Sequence, residues 1–145
     1  MINQIELRFP SLAENEALAR MAVSAMLIPL NPTMSLVSEI RTAVSEAVTN
    51  SVVHAYNGRE DGLIILRAKL SDESLQIDIE DFGCGIADVK QAMKPFFTTQ
   101  PEKERTGMGF SLMQSFMDGV TVSSSCGNGT LVSMSKIMPH QYEIL

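Results

Sequence analysis

A helical repeat of apolar residues between positions 34 and 55 constrains the fold of this chain most strongly. Apolar side chains recur there every three or four residues, which is typical of an amphipathic helix that buries one face. Glu46 and Asn50 lie opposite this stripe, and residues four apart on a helix differ by only about 40° around its axis. The helix is therefore predicted to carry a carboxylate and a carboxamide side by side. The stripe consists of Leu36, Val37, Ile40, Ala43, Val44, Ala47, Val48, Ser51, Val52 and Ala55.

The segment before this helix predicts a strand and a further helix. Alternating apolar residues predict the strand over 5–9, and Ser11 with Glu14 predicts a capping box for a helix over 12–27. The residues expected to face inward on that helix are Leu18, Met21, Ala22 and Ala25.

The second half of the chain predicts two strand hairpins and two short helices. Hairpins combined with helices favour an α/β fold, a two-layer sandwich of a mixed, mostly antiparallel sheet with helices on one face. We expect residues 1–145 to form a single domain. The elements predicted here are strands over 63–70, 75–80, 120–125 and 131–137, helices over 87–93 and 110–117, and a polar loop over 100–105.

Composition excludes several classes of function. The net charge of −6 argues against direct binding to nucleic acid, which needs a basic face. No apolar run approaches the ~20 residues of a membrane span, and residues 1–8 lack the apolar stretch of a signal peptide. Cys84 and Cys126 lack metal-ligand spacing. We therefore expect a cytoplasmic protein without a membrane segment.

Glu46 and Asn50 together suit phosphate chemistry. Mg²⁺ prefers oxygen ligands and keeps several waters, so one side-chain oxygen of Asn50 plus phosphates could hold it. Glu46, one turn away, could accept a proton from a hydroxyl or water that attacks a γ-phosphate. Considered alone, the pair also fits a solvated helix face.

Asp81 ends a predicted strand and is followed by a turn that contains Gly83 and Gly85. A carboxylate fixed at a strand end can accept a hydrogen bond from an exocyclic amine such as that of adenine. The two glycines would let a ligand approach the backbone closely, and Thr130 could add a hydroxyl to the same pocket. An ordinary Asp turn is the alternative for this segment.

Gly107-Met108-Gly109 leads directly into the predicted helix over 110–117. Free N–H groups and the helix dipole at such an N-terminus suit phosphate, although a flexible loop end has the same composition. Arg105 lies just upstream, where its planar guanidinium could bind phosphate oxygens in pairs. Because ADP lacks the γ-phosphate, we expect this contact to distinguish ATP from ADP.

These motifs resemble those of the ATPase superfamily that unites gyrase B, heat-shock 90 chaperones, sensor histidine kinases and mismatch-repair ATPases. The resemblance spans about residues 40–132 and implies a histidine-kinase-like ATPase fold, with ATP between the helical layer and a flexible lid. The matching segments are Glu46 to Asn50 (the N-box), Asp81-x-Gly83-x-Gly85 and Gly107-x-Gly109 (the glycine boxes), and Gly129-Thr130.

A closer resemblance is to the small bacterial anti-sigma factors that are also serine kinases, the sporulation type that holds sigma-F more than the general-stress type. It implies a protein that binds a sigma factor and uses Mg-ATP to phosphorylate an anti-anti-sigma protein on serine, as a homodimer. The segments that carry it are 44–56, 96–99 and 105–110. Gln100, where Lys is common, and Ala55, where Gly is common, depart from the pattern.

This resemblance also implies roles for individual residues. Glu46 becomes the catalytic base, Asn50 the Mg²⁺ ligand, Asp81 the adenine reader and Arg105 a catalytic contact to the γ-phosphate. Partner docking should also use exposed charge outside the pocket, and apart from the resemblance Arg20 on the first helix is the candidate contact for both protein partners, with a solvated helix residue as the alternative. The remaining residues of the nucleotide site are Gly83, Gly85, Thr99, Gly107, Met108, Gly109 and Thr130.

Three other functions share parts of this pattern. ATP-hydrolysing clamps use the same Glu on water, but they carry a following domain that this sequence does not show. Sensor histidine kinases usually have Asn at the first N-box position and need a phosphoacceptor His domain. A general-stress-type kinase and an ATP-binding anti-sigma module without activity remain open, although Glu46 and Asn50 together count against the inactive module.

Overall fold

The computed structural model describes residues 2–94 and 109–139, which form a sheet with helices packed on one face. In chain order the elements are β1 (Asn3–Pro10), α1 (Asn15–Leu27), a 3₁₀ turn (Ile28–Leu30), α2 (Met34–Asn50), a π turn (Ser51–Ala55), β2 (Leu63–Leu70), β3 (Ser74–Asp81), α3 (Val89–Ala92), α4 (Gly109–Phe116), β4 (Gly119–Ser124) and β5 (Thr130–Ile137).

The sheet has the strand order β1-β2-β3-β5-β4, and all four pairings between described strands are antiparallel. The two-layer α/β sandwich expected from the sequence is confirmed, and within these residues the sheet is purely antiparallel rather than mixed. The register pairs Asp81 of β3 with Thr130 of β5. Two residues predicted for one site are therefore neighbours at the same end of the sheet.

The α2 stripe forms the centre of the core. The apolar residues at its centre are fully buried against the inner face of the sheet, as the periodicity predicts, while Leu36, Val37 and Ala55 at its ends are partly buried. Burying a large aliphatic side chain is worth about 1.5–3 kcal/mol, so this layer contact stabilises α2 in a fixed orientation. The polar edge of α2 is therefore held in place as well. The main contributors are Ile40, Ala43, Val44, Ala47 and Val48 from α2, with Leu66, Ile77, Ile79 and Met134 from the sheet.

The outer face of the sheet is charged and solvated. Arg67 Nε lies 2.9 Å from Glu6 Oε1, and its Nη1 lies 3.0 Å from Glu80 Oε1, so one guanidinium links three strands. Exposed ion pairs of this kind contribute little to stability. They do keep this face polar. In residues 2–94 and 109–139 no helix is long and apolar enough to span a bilayer.

The predicted start and buried face of α1 were wrong. The helix begins at Asn15, and Glu14 at its N-cap makes no side-chain cap hydrogen bond. Leu18, Met21 and Ala25 are exposed and Ala22 is only partly buried. The sequence carries two apolar stripes on α1, and periodicity alone cannot tell which one packs. The buried stripe is Ala19, Val23, Met26 and Leu27.

Ser11 is buried for a different reason than helix capping. Its hydroxyl donates to the carbonyl of Arg59 and accepts from the amide of Gly62 at 3.0 Å, while its own amide donates to the Gly62 carbonyl at 2.8 Å. These three bonds tie the end of β1 to the turn before β2. The capping box failed because this tertiary contact takes the hydroxyl that the cap would need.

Replacing Ser11 with Ala should destabilise the protein by about 1–3 kcal/mol, because the Gly62 amide and Arg59 carbonyl lose a buried partner. Urea denaturation measures the change. The control is Ser35→Ala, at an exposed position of α2, which should stay within about 0.5 kcal/mol of wild type. Equal stability of the two variants would contradict this role for Ser11.

Candidate functional site

A cavity of about 340 Å³ opens at the end of the sheet where β3 and β5 meet the C-terminal end of α2. It brings together five residues that the sequence predicts for one site, and its size is in the range of small-molecule pockets. Ile86, Ala92, Phe110 and Val132 supply apolar walls. The predicted residues that line it are Asn50, Asp81, Gly85, Gly109 and Thr130.

The end of α2 is shaped by a π turn rather than by the continuous α-helix expected to Ala55. Residues Ser51–Ala55 form this wider turn, and the amide of Tyr56 closes it on the Ser51 carbonyl at 3.2 Å. The Ser51 hydroxyl donates to Asp81 Oδ2 at 3.0 Å. A helical repeat in the sequence cannot show such a local widening, which is often found at functional sites.

Asp81 is a buried acceptor at the cavity wall. Its side chain is held by the Ser51 hydroxyl and by the Gly83 amide, which donates to Oδ1 at 3.0 Å. Burial raises the pKa of Asp81 above its ordinary value of 3.8, opposed by hydrogen bonds from Gly83, Ser51 and the Thr130 backbone. The result is a carboxyl group in a fixed orientation, suited to a ligand that offers a hydrogen-bond donor.

The two glycines after Asp81 allow protein backbones to approach each other. A Cβ at Gly83 would lie 2.3 Å from the Ala55 carbonyl oxygen. Gly85 has φ +76°, and a Cβ there would lie 1.9 Å from the Ser125 carbonyl oxygen. The loop after β3 is thus pressed between the π turn and the β4–β5 turn, so these glycines fix the position of Asp81 whatever ligand enters.

Glu46, Asn50 and Gly109 meet where α4 begins in the described residues. A Cβ at Gly109 would lie 3.2 Å from Glu46 Oε2 and 3.3 Å from Asn50 Oδ1. Only a glycine leaves this space open beside the carboxamide. The Asn50 Nδ2 atom is buried without a hydrogen-bond partner in the described part of the chain. A buried, unused amide donor beside a helix end fits a phosphate oxygen.

Glu46 faces a second cavity rather than the first. This groove has a volume of about 770 Å³ and runs along α1 and α2, with Leu112 of α4 at its edge. Arg20 also lines it, with Nη1 2.7 Å from Glu16 Oε1. Arg20, the residue predicted to contact the partner proteins, therefore lies outside the first cavity. It lines the same groove as Glu46.

Sequence reasoning missed Ser124, which joins the two sides of the cavity floor. Its hydroxyl accepts from the Ile86 amide at 2.7 Å and lies 2.8 Å from Thr130 Oγ1. Ser124 stands in a run of three serines, and nothing in that run singles it out. Ser51 was also missed, because it was counted as part of the apolar stripe.

Four predicted residues lie outside the described ranges. They are Thr99, Arg105, Gly107 and Met108. Within residues 2–94 and 109–139 there is no cluster of three or more His, Cys, Asp or Glu side chains that could hold a metal ion.

Comparisons with known proteins show the family to which the chain is similar. The profile of the histidine kinase-like ATPase domain family matches residues 9–136. An anti-sigma F factor of Clostridium beijerinckii is 47% identical over 134 residues, covering 92% of this chain and 94% of that protein. An anti-sigma F factor of Caldanaerobacter subterraneus subsp. tengcongensis is 49% identical, with 92% and 93% of the two chains covered.

Two solved structures share the fold at low sequence identity. The RsbU and RsbW domains of a Mycobacterium tuberculosis protein superpose with a TM-score of 0.67 at 16% identity, over 98% of this chain and 35% of that one. The catalytic domain of the histidine kinase ThkA gives a TM-score of 0.56 at 16% identity, over 93% and 95%. These two likenesses concern the fold alone.

Replacing Asp81 with Asn should change how stability depends on pH in the nucleotide-free protein. Because the pKa of Asp81 is raised in the folded state, its proton stabilises the fold at low pH. That contribution is complete below about 3.8, the ordinary value, and is lost as pH rises through the raised pKa. The stability of Asp81→Asn relative to wild type should therefore increase with pH.

Urea denaturation from pH 3.5 to 8 measures this difference. Asp61→Asn is the control, because the Asp61 side chain is 78% exposed, and its difference from wild type should stay flat. A pH-independent difference for Asp81→Asn, or one that falls with rising pH, would contradict the assignment.

Proposed function

Because the chain belongs to the anti-sigma F factor family of histidine kinase-like ATPase domains, we propose that it binds and inhibits a sigma factor of the sigma-F type. In this proposal it also uses Mg-ATP to phosphorylate a serine of an anti-anti-sigma protein, in the cytoplasm and as a homodimer. The observation that carries the kinase part is the position of Glu46. Its carboxylate lies beside Gly109 and Asn50, where the phosphates are proposed to bind, and it faces a groove outside the nucleotide cavity.

The nucleotide would enter the cavity with its base at Asp81 and its phosphates at Asn50. The Asp81 carboxylate accepts from the adenine amine, and Thr130 lies beside it in the register of β3 and β5. Asn50 contacts the phosphate end through its amide, next to Gly109. Mg²⁺, when bound, neutralises phosphate charge, and the Asn50 oxygen is the protein ligand proposed for it.

Glu46 would act as the base for the attacking serine. A hydroxyl is a poor nucleophile until its proton is removed, and Glu46 is a carboxylate at the shared wall of cavity and groove. The serine proton passes to Glu46 as the hydroxyl oxygen attacks the γ-phosphorus, and ADP leaves. Arg105 is proposed to contact the γ-phosphate, with Thr99, Gly107 and Met108 on the phosphates.

The groove along α1 and α2 is the proposed docking surface for the partner proteins. Arg20 and Arg41 line it together with Ser38, Ser45 and Glu46. The Arg20 Nε atom is buried and has no hydrogen-bond partner in the described residues. A partner segment with acidic and hydroxyl side chains would use the exposed parts of the Arg20 and Arg41 guanidinium groups, and its serine would reach Glu46 from the side opposite the nucleotide.

Incubation with γ-labelled ATP and an anti-anti-sigma protein tests the function. Label on a partner serine supports the kinase. Release of free phosphate alone would indicate an ATP-hydrolysing protein, and no turnover would indicate a binding module. Either of those results contradicts the proposal.

A Glu46→Gln variant should lose about 10²–10⁴-fold in the rate of serine phosphorylation, because Gln cannot accept the proton. ATP binding should stay close to that of wild type, since the Gln amide has nearly the same shape. Glu60→Gln is the control, because Glu60 is exposed in the turn before β2, and it should keep full activity. Wild-type activity in folded Glu46→Gln would remove Glu46 from the mechanism.

An Arg20→Ala variant should weaken binding of the partner proteins by roughly 10- to 150-fold, the equivalent of one charge-assisted hydrogen bond of ~1.5–3 kcal/mol. ATP affinity should not change, because Arg20 lines the groove and not the nucleotide cavity. Calorimetric titration gives both affinities, with Arg8→Ala on the outer sheet face as the control. The docking proposal fails if the two variants bind the partners equally well.

A further inference from the structure

We propose that Tyr56 is a positioning residue that fixes the loop after β3 and thereby sets the preference of the site for adenine over guanine. The inference rests on the proposed nucleotide site, with Asp81 as reader of the base. Tyr56 is only 6% exposed and is not among the residues that line the cavity. It would therefore act through Asp81 rather than through contact with the nucleotide.

The phenol of Tyr56 joins the ends of two strands. Its oxygen accepts from the Phe82 amide at 2.7 Å, and its hydroxyl donates to the carbonyl of Leu63 at the start of β2. Phe82 directly follows Asp81, and this residue is 56% exposed. The ring of Phe82 therefore does not anchor this residue, and the backbone bond to Tyr56 does.

The ring of Tyr56 is itself held in place. A Cβ at Gly62 would lie 2.5 Å from two of its ring carbons, so the ring lies directly against the Gly62 backbone. Gly62 is fixed in turn by two hydrogen bonds to Ser11. Packing of the ring against Gly62 thus fixes the position of the phenol oxygen independently of the loop after β3. The oxygen is therefore a rigid anchor for that loop.

Two further hydrogen bonds also hold the loop after β3 in place. The Ser51 hydroxyl donates to Asp81 Oδ2 at 3.0 Å, and the Cys84 amide donates to the Ala55 carbonyl at 2.9 Å. Loss of the Tyr56 hydroxyl would therefore loosen the loop without releasing it. The expected result is a less strictly oriented Asp81 carboxylate rather than a collapsed site.

Orientation of the carboxylate decides which base is accepted. Adenine offers an amine where guanine offers a carbonyl oxygen. A carboxylate held in a fixed orientation therefore binds the adenine amine and repels the guanine carbonyl oxygen. When the acceptor can turn away, the favourable contact and the repulsion both weaken. Affinity for adenine nucleotides then falls, affinity for guanine nucleotides stays or rises, and discrimination between them is reduced.

The test is calorimetric titration of the full-length protein and Tyr56→Phe with Mg-ATP and Mg-GTP. We expect ATP affinity to fall about 3- to 10-fold and GTP affinity to stay or rise, so the ATP-to-GTP ratio falls at least 3-fold. Ser71→Ala is the control, since Ser71 holds the turn at the other end of the β2–β3 hairpin. It should leave the ratio unchanged. A merely structural role for Tyr56 would lower stability and leave the ratio unchanged as well.

The Asp81→Asn background shows whether Tyr56 acts through the carboxylate. There, Tyr56→Phe should cause no further change in the ratio, because the oriented acceptor is already gone. The inference would be overturned if Tyr56→Phe left the ATP-to-GTP affinity ratio unchanged. It would also be overturned if Tyr56→Phe lowered this ratio as much in the Asp81→Asn protein as in the wild-type protein. Since titration uses no protein partner, absence of kinase activity bears only on the proposed function. A wild-type protein that binds ATP and GTP equally would overturn both this inference and the proposed role of Asp81 as reader of the base.

Amide hydrogen exchange on the wild-type protein keeps the inference testable if Tyr56→Phe does not fold. The Phe82 amide should exchange slowly without nucleotide, because the phenol holds it. The exposed residue Glu60, in the turn before β2, serves as the reference for rapid exchange. Exchange at the Phe82 amide as fast as at the Glu60 amide would overturn the anchor.

Discussion

The rest of the site depends on the hydrogen bonds that the buried carboxylate of Asp81 accepts. A buried charge is costly unless it is hydrogen-bonded, and Asp81 takes its bonds from the π turn, from the loop after β3 and from β5. Each donor reaches it only because the sheet places β3 beside β5 and the end of α2 above both. The strand order and the π turn together supply the hydrogen-bond donors that the buried Asp81 side chain requires.

Sequence periodicity predicted the sheet strands and the position of α2 correctly, because both depend on which face is apolar. The acid and glycine motifs, with the family resemblance that they carry, predicted that Asn50, Asp81, Gly85, Gly109 and Thr130 lie together, and all five line one cavity. These residues were recognisable because a polar residue opposite an apolar stripe, or a glycine at a strand end, is a local signal.

What the sequence could not show depends on tertiary hydrogen bonds. Ser11 looked like a helix cap, but its hydroxyl bonds with a turn about fifty residues away in sequence. Ser124 resembles its neighbours in the chain, and its role comes from its bonds with Ile86 and Thr130. On α1 two apolar stripes compete, and the packing partner decides between them. Serine hydroxyls and alanine-rich helix faces fit several environments, so local pattern leaves them ambiguous.

The polar edge of α2 explains how one helix can serve two ligands. Asn50 lines the nucleotide cavity, and Glu46, one turn earlier, lines the groove along α1. A single helical turn thus separates the proposed phosphate contact from the proposed base, and Gly109 of α4 leaves the gap between them open. Because the centre of the apolar face of this helix is buried in the core, the backbone that carries the two side chains cannot shift without disturbing that packing. A rigid core helix therefore sets the distance over which a phosphoryl group would have to move.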